Sequence, residues 1–214
     1  MTESVIIREN TRSECGFKNL EEVYEKAKQC SLCPLSNTRN NVVLFRGNSK
    51  ADLMIIGEGP GYYEDQSGLP FVGKAGQLLD RILASVNLDK DRDVYICNVV
   101  KCRPPGNRVP TEFEMDKCES FLDAQIKFVQ PKIILLAGGT AMNSVLKANY
   151  RITKMRGKWL EHENGAKVMP VFHPSYLLRN DSRVAGSPKW LMWQDIKEVR
   201  KELDKITRKQ PERS

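Results

Sequence analysis

Four short apolar runs constrain this chain most: DLMIIG at 52–57, DVYICNVV at 93–100, KIILLAG at 132–138 and KVMPVF at 167–172. They are compact and rich in β-branched residues. That composition belongs to strands buried on both faces of a parallel sheet, not to half-exposed antiparallel strands. Helical patterns separate them. GKAGQLLDRILASV (73–86), TEFEMDKCESFLDAQIKFV (111–129) and GTAMNSVLKA (139–148) follow the first three, and a last helix is expected over about 188–206. NLEEVYEKAKQ at 19–29 reads as a short amphipathic helix ending at Cys30. Such alternation implies right-handed crossovers and helices on both faces. The predicted fold class is α/β: a three-layer α/β/α sandwich around a central, mainly parallel four-stranded sheet. With no repeat, low-complexity stretch or linker, residues 1–214 read as one domain, with its core over about 20–206 and less ordered termini.

No apolar run approaches the roughly 18–20 residues that span a bilayer, and the first residues carry no signal-peptide core. A cytoplasmic location is expected. The net charge of +7 is compatible with nucleic acid, because cations that neutralise phosphates release counterions. It does not by itself single out that partner. The basic but acid-interleaved end, IKEVRKELDKITRKQPERS, reads as a solvated helix face and a frayed tail.

Six cysteines occur. Cys30 and Cys33 form a CxxC pair at a helix end, and Cys102 and Cys118 make a second, widely spaced pair. In a cytoplasmic protein metal binding is expected before disulfides. Four thiolates suit Zn²⁺ or an iron–sulfur cluster. A zinc ribbon brings two close pairs, so the wide second spacing tilts the choice towards a [4Fe–4S] cluster without deciding it. Cys97, inside a strand pattern, reads as a small buried hydrophobe; Cys15 has no evident partner.

Two strand-end loops carry the chemistry. GEGPGYYEDQSGLPFVGKAGQLLD (57–80) offers the carboxylate of Glu58, the close-approach glycines Gly57, Gly59 and Gly61, and an aromatic ahead of a helix. FHPSYLLRN (172–180) offers the imidazole of His173, with Ser175 nearby, and exposed apolar side chains. On a parallel sheet, such loops face one cleft. Together they suit a flat, polar, anionic leaving group. The glycine turn is a poor dinucleotide fingerprint, since Pro60 and the Tyr62–Pro70 stretch delay the helix until about Gly73. AGGT at 137–140 reads as a strand end with Thr140 near a helix start. The other histidine, His162, falls in an expected hairpin and reads as solvated.

Taken together, the 57–80 segment, NVVKCRPPGNRVPT (98–111), the four paired cysteines and HPSYLLR (173–179) resemble the family 4, iron–sulfur uracil-DNA glycosylases over roughly residues 20–200. The combination and its order carry the likeness. The resemblance implies a [4Fe–4S] cluster on Cys30, Cys33, Cys102 and Cys118, and hydrolysis of the uracil–deoxyribose bond after the base is flipped from the stack. It implies that Phe71 stacks on uracil and that the Asn98 carboxamide reads O4 and N3–H against cytosine. His173 is implied to donate to O2 of the departing base. Glu58 is the candidate to orient water or steady the cationic sugar. Glu64, or alternatively Tyr63, is placed to crowd the thymine methyl.

Tyr176, Leu177 and Leu178 are implied to wedge into the duplex. Ser175 joins that DNA-binding turn. Arg179, Arg156, Lys158 and Lys189 are candidates for phosphate contact, while Arg103, Asn107 and Arg108 either contact phosphate or brace their loop. The chain departs from the pattern mildly, with Gly59 where relatives often have alanine. It has no arginine–histidine-rich insertion between Asn180 and Trp190, so turnover rather than covalent capture is expected. The expected partner is uracil-containing DNA, single- or double-stranded, with a sliding clamp or replication proteins as further partners and a monomer as the working form. The alternatives are a non-catalytic DNA-binding module on the same fold and a zinc-containing nucleotide-binding protein.

Overall fold

The computed structural model describes residues 16–208, so Cys15 and the expected disorder of the two ends lie outside the described residues. In chain order the elements are α1 (Leu20–Lys28), β1 (Arg46–Gly47), β2 (Leu53–Gly57), α2 (Tyr62–Ser67), α3 (Lys74–Ala84), β3 (Val94–Asn98), α4 (Glu112–Val129), β4 (Ile133–Ala137), α5 (Gly139–Leu146), α6 (Ile152–Met155), β5 (Leu160–Glu161), β6 (Lys167–Val171), α7 (Pro174–Arg179) and α8 (Pro188–Arg208). The sheet order is β1-β3-β2-β4-β6-β5. The four expected strands are its parallel centre. Two-residue antiparallel strands, β1 and β5, close the edges.

Strand periodicity sorts the core into two layers. Met54, Ile56, Tyr95, Cys97, Ile134, Leu136 and Val168 face one side, where Val23 and Ala27 of α1, Phe121 and Leu122 of α4, and Met142 of α5 cover them. Leu53, Ile55, Val94, Ile96, Ile133, Leu135 and Met169 face the other, under Leu79 and Leu83 of α3, Leu177 of α7 and Met192, Ile196 and Val199 of α8. Because successive side chains point to opposite faces, these continuous apolar runs require helices on both. The result is the three-layer α/β/α sandwich.

Local chemistry sets the helix starts. The Asn19 side chain accepts the Glu22 N–H at 2.9 Å ahead of α1. At α4, Thr111 and Glu114 form a reciprocal capping box, with Glu114 Oε2 accepting the Thr111 N–H at 2.8 Å and Thr111 Oγ1 accepting the Glu114 N–H at 3.2 Å. Arg108 donates to both Glu114 oxygens, at 2.7 and 2.6 Å, and this guanidinium holds the Glu114 carboxyl down at about 2.

His162 departs from expectation. It is 4% exposed, not solvated. Its β5–β6 hairpin folds back so that the ring shares a small hollow with Leu122 and Ile126 of α4 and Val145 of α5. Its Nδ1 lies 2.8 Å from Asn164 Oδ1.

Candidate active site

Chain direction reverses between β2 and β4: the helices after β2 lead to β3 on one side, while those after β4 lead to β6 on the other. A crevice at the carboxyl ends of the strands is the expected outcome. Glu58 follows β2 and Thr140 opens α5 just after β4, and Thr140 Oγ1 donates to Glu58 Oε2 across the crevice at 2.5 Å. Beyond the strands, the Val99 N–H donates to the Gly57 carbonyl at 2.9 Å and the Val100 N–H to the Glu58 carbonyl at 3.2 Å. Glu58 and Asn98 are thereby held side by side. His173 follows β6 and caps α7.

Around this crevice lies a cavity of about 380 Å³, lined by Glu58, Glu64, Phe71, Asn98, His173 and Ser175 among others. Such a volume is within the range of small-ligand sites. Asn98 is only 2% exposed, and its carboxamide faces the cavity without a protein partner among the described residues. Gly57 makes room for it: a Cβ there would lie 2.5 Å from Asn98 Oδ1 and 2.5 Å from Phe71 Cζ. Phe71 has a left-handed backbone, φ 55°, a conformation costing about 1–3 kcal/mol for a bulky residue. Its carbonyl is pressed against α3 at Gly76, where a Cβ would stand 1.7 Å from the Phe71 oxygen. The Phe71 and His173 ring centroids are 5.7 Å apart at 32°.

The His173 tautomer follows from its partners. Nδ1 accepts the Ser175 backbone N–H at 3.1 Å and lies 2.8 Å from Ser175 Oγ. A backbone N–H can only donate, so the neutral ring carries its proton on Nε2. Burial first, then the nearby Arg179 charge, lower its pKa to about 4 against the opposing pull of Glu64. At neutral pH the residue is an uncharged N–H donor.

The two carboxylates differ in their engagements. Glu64 Oε1 accepts the N–H groups of Val72 and Gly73 at 3.0 and 2.8 Å, and Oε2 accepts that of Gly61 at 3.1 Å. This ties both ends of the 61–73 loop, so Glu64 is a loop brace that also lines the cavity. Neighbouring Asp65 is buried and accepts the Asn40 and Asn41 backbone N–H groups at 2.9 and 3.2 Å. Tyr63 lines the same cavity and is 62% exposed. Gly59 faces Val100, whose Cγ2 would lie 2.8 Å from any Cβ there. That contact crowds any side chain at position 59.

Other candidates separate. Tyr176 and Leu178 are exposed on α7, but Leu177 is buried in the core beneath α3 and α8, which removes it from the expected exposed wedge. One and a half turns of helix cannot turn three consecutive side chains outward. Arg156 pairs with Asp195, Lys189 with Asp181, and Arg103 Nε donates to Asn107 Oδ1 at 2.7 Å. Together with the Arg108–Glu114 pair, these contacts make Arg103, Asn107 and Arg108 loop braces in this conformation. Arg179 and Lys158 are exposed.

Cys30, Cys33, Cys102 and Cys118 line one hollow beside the crevice, walled by Leu35, Val100 and Phe121. Arg39 Nη1 donates to Cys102 Sγ and the Lys101 backbone N–H to Cys118 Sγ, each at 3.3 Å. As free thiols, burial raises Cys102 and pushes Cys118 up to about 12. Among the described residues no three His, Cys, Asp or Glu side chains are set to hold a single ion. A soft, all-sulfur lining with N–H groups aimed at two sulfurs nevertheless fits a thiolate-held group. Cys97 is buried inside β3, away from this hollow's lining.

Sequence reasoning missed Thr140's bond to Glu58 and the buried Lys101. The first had a signal in the strand-end position of AGGT. The second had none, because a lysine beside a cysteine ordinarily reads as solvated.

A doubly wound α/β protein with a small-ligand cleft at its strand ends is the class that fold and cavity define. Residues 44–197 match the family model described as the uracil DNA glycosylase superfamily. The type-4 uracil-DNA glycosylase of Thermotoga maritima is 48% identical over 164 residues, covering 76% of this chain and 85% of that protein. Those of Sulfurisphaera tokodaii and Archaeoglobus fulgidus are 39% and 38% identical, covering 85% and 76% of this chain and 84% of each relative. The chain belongs to the uracil-DNA glycosylase superfamily and, within it, to the type-4 family.

Proposed function

We infer that this chain is a DNA-repair glycosylase that flips uracil out of DNA and hydrolyses its N-glycosidic bond, leaving an abasic site. The observation that carries the reading is the buried Asn98 carboxamide, without a protein partner among the described residues, set against Phe71 and facing the same cavity as a neutral Nε2–H donor on His173. A carboxamide can donate to uracil O4 while accepting from N3–H. Cytosine reverses both groups, and buried mismatched polar atoms weaken binding strongly.

Phe71 offers its ring to the flipped base. As the C1′–N1 bond breaks, its electron pair leaves with uracil, and the His173 Nε2–H stabilises charge on O2 without giving up its proton. One such preorganised donor contributes about 3–4 kcal/mol in comparable sites. Water then bonds to C1′, and the proton it loses passes to the departed uracil anion or to solvent. Glu64's oxygens are occupied by backbone N–H groups, so Glu58, anchored through one oxygen by Thr140, is the carboxylate that orients the water or steadies the cationic sugar. Tyr63, not Glu64, is the better candidate to crowd a thymine methyl. Tyr176 and Leu178 are the wedge candidates, with Arg179 a phosphate contact beside them.

Cys30, Cys33, Cys102 and Cys118 are assigned to a [4Fe–4S] cluster in preference to zinc. Held by these four thiolates, such a cluster would brace the 30–33 and 102–118 segments against each other. The substrate in this reading is DNA, single- or double-stranded, and the site of action is the cytoplasm. No helix among the described residues is long and apolar enough to cross a membrane.

The test is incubation of the purified protein with a uracil-containing oligonucleotide, followed by alkali. Scission at the uracil position is expected. An intact strand at enzyme excess overturns the reading.

A further inference from the structure

Lys101 is 1% exposed, among the most buried large side chains of the protein. Its ammonium donates to the Asn98 backbone carbonyl and to Gln125 Oε1, both at 2.5 Å, and both acceptors are neutral oxygens. Burying an ammonium on neutral acceptors is costly compared with an aliphatic chain of the same length. Packing alone therefore gives no reason for a lysine here.

Its main chain is pinned as firmly. The Lys101 N–H donates to Cys118 Sγ at 3.3 Å, and its carbonyl accepts the Val43 N–H at 2.7 Å. Gln125 in turn donates to the Leu44 carbonyl at 3.2 Å and to Tyr95 Oη at 2.8 Å. The Tyr95 and Tyr24 hydroxyls meet at 2.9 Å. A buried polar chain thus runs from the core to the end of β3. One residue touches both the four-cysteine hollow and the backbone of Asn98.

Asn98 needs such support. Its carboxamide takes no protein hydrogen bond among the described residues, so its aim depends on its own backbone and on contact with Gly57 and Phe71. The Val99 N–H to Gly57 carbonyl bond fixes the following peptide from the β2 side. The Lys101 ammonium, itself bonded to Gln125 of α4, holds the carbonyl of that same peptide. We propose that Lys101 is a positioning residue that links the four-cysteine hollow to base reading, holding Asn98 aimed into the cavity.

This rests on the uracil-excision reading, and the test separates the two. Holoprotein is titrated with an oligonucleotide carrying a hydrolysis-resistant 2′-fluorinated deoxyuridine and, separately, with one carrying an abasic-site analogue. The ratio of the two affinities reports base reading and cancels losses of folded protein. Lys101→Met is expected to lower that ratio about tenfold or more, as for loss of a charge-assisted hydrogen bond, while abasic-DNA affinity stays within about twofold. The same variant should also lose the cluster's visible absorbance faster under chelator. Gln125→Met, which removes the second acceptor, should shift the ratio in the same direction. It keeps the test open where Lys101→Met does not fold. An unchanged ratio in the folded variants, or an equal fall in both affinities, overturns the inference. A wild-type protein with no preference for the uracil analogue overturns the proposed function instead.

Discussion

Gly57→Ala is the sharpest test of the cavity's construction. An added Cβ would stand 2.5 Å from both Asn98 Oδ1 and Phe71 Cζ, whereas ordinary contact begins at 3.4 Å. Both groups must therefore yield by about 0.9 Å, the difference between those two distances. Their backbones are fixed, so the yielding falls on the side chains that line the cavity. Phe71 is held in a left-handed conformation with its carbonyl against Gly76, and Asn98 is anchored through its backbone in β3. Displacements near 1 Å in a reactive geometry lower rates about a hundredfold, or about 2.7 kcal/mol in the barrier. Overpacking of this size also destabilises a core by about 1–3 kcal/mol. Single-turnover uracil excision at saturating enzyme should fall by about two orders of magnitude, with a lowered melting temperature and near-normal affinity for abasic DNA. Excision within about threefold of wild type by a well-folded variant would refute the convergence of Phe71 and Asn98 at Gly57.

Other outcomes follow from the same geometry. His173→Ala should slow the chemical step about 10²–10³-fold while changing DNA affinity little; matched losses in rate and affinity would reassign the residue to binding. Because burial lowers the folded-state His173 pKa from 6.5 to about 4, its contribution to stability is complete above about pH 6.5 and falls away towards pH 4. Chemical denaturation across that window should show a slope that His173→Ala flattens. Asn98→Asp should abolish most uracil excision, and full retention would remove Asn98 as the base reader. Glu114→Gln should destabilise the protein at neutral pH, with the difference narrowing as pH falls from 4.5 towards about 2, where the wild-type carboxyl protonates. Iron and acid-labile sulfide should be present in anaerobically purified protein, and stoichiometric zinc with a colourless solution would replace the cluster assignment.

Much of the architecture was legible because its signals are local. Runs such as IILLA, without alternation, mark strands with two buried faces, and Thr111 with Glu114 at N3 marks the start of α4. Asn98 and His173 were readable as strand-end residues, since strand ends in a parallel sheet share one rim. The short helix α2 was hidden because Gly61 and Gly68 bracket only six residues, which read as loop. The bracing role of Glu64 was hidden because its partners are backbone groups at Val72 and Gly73, whose closeness depends on the loop's closed path.

By itself the sequence determined the order of strands and helices, which faces are apolar, and which residues stand at strand ends, because these depend on periodicity and on neighbours within a few positions. The tertiary structure alone decided which side chains point where. It turned Leu177 and His162 inward, brought Thr140 to Glu58, cleared Gly57 for Phe71 and Asn98, and sank Lys101 between the four-cysteine hollow and the end of β3. Those outcomes depend on contacts between segments far apart in the chain, and no local pattern encodes such distances.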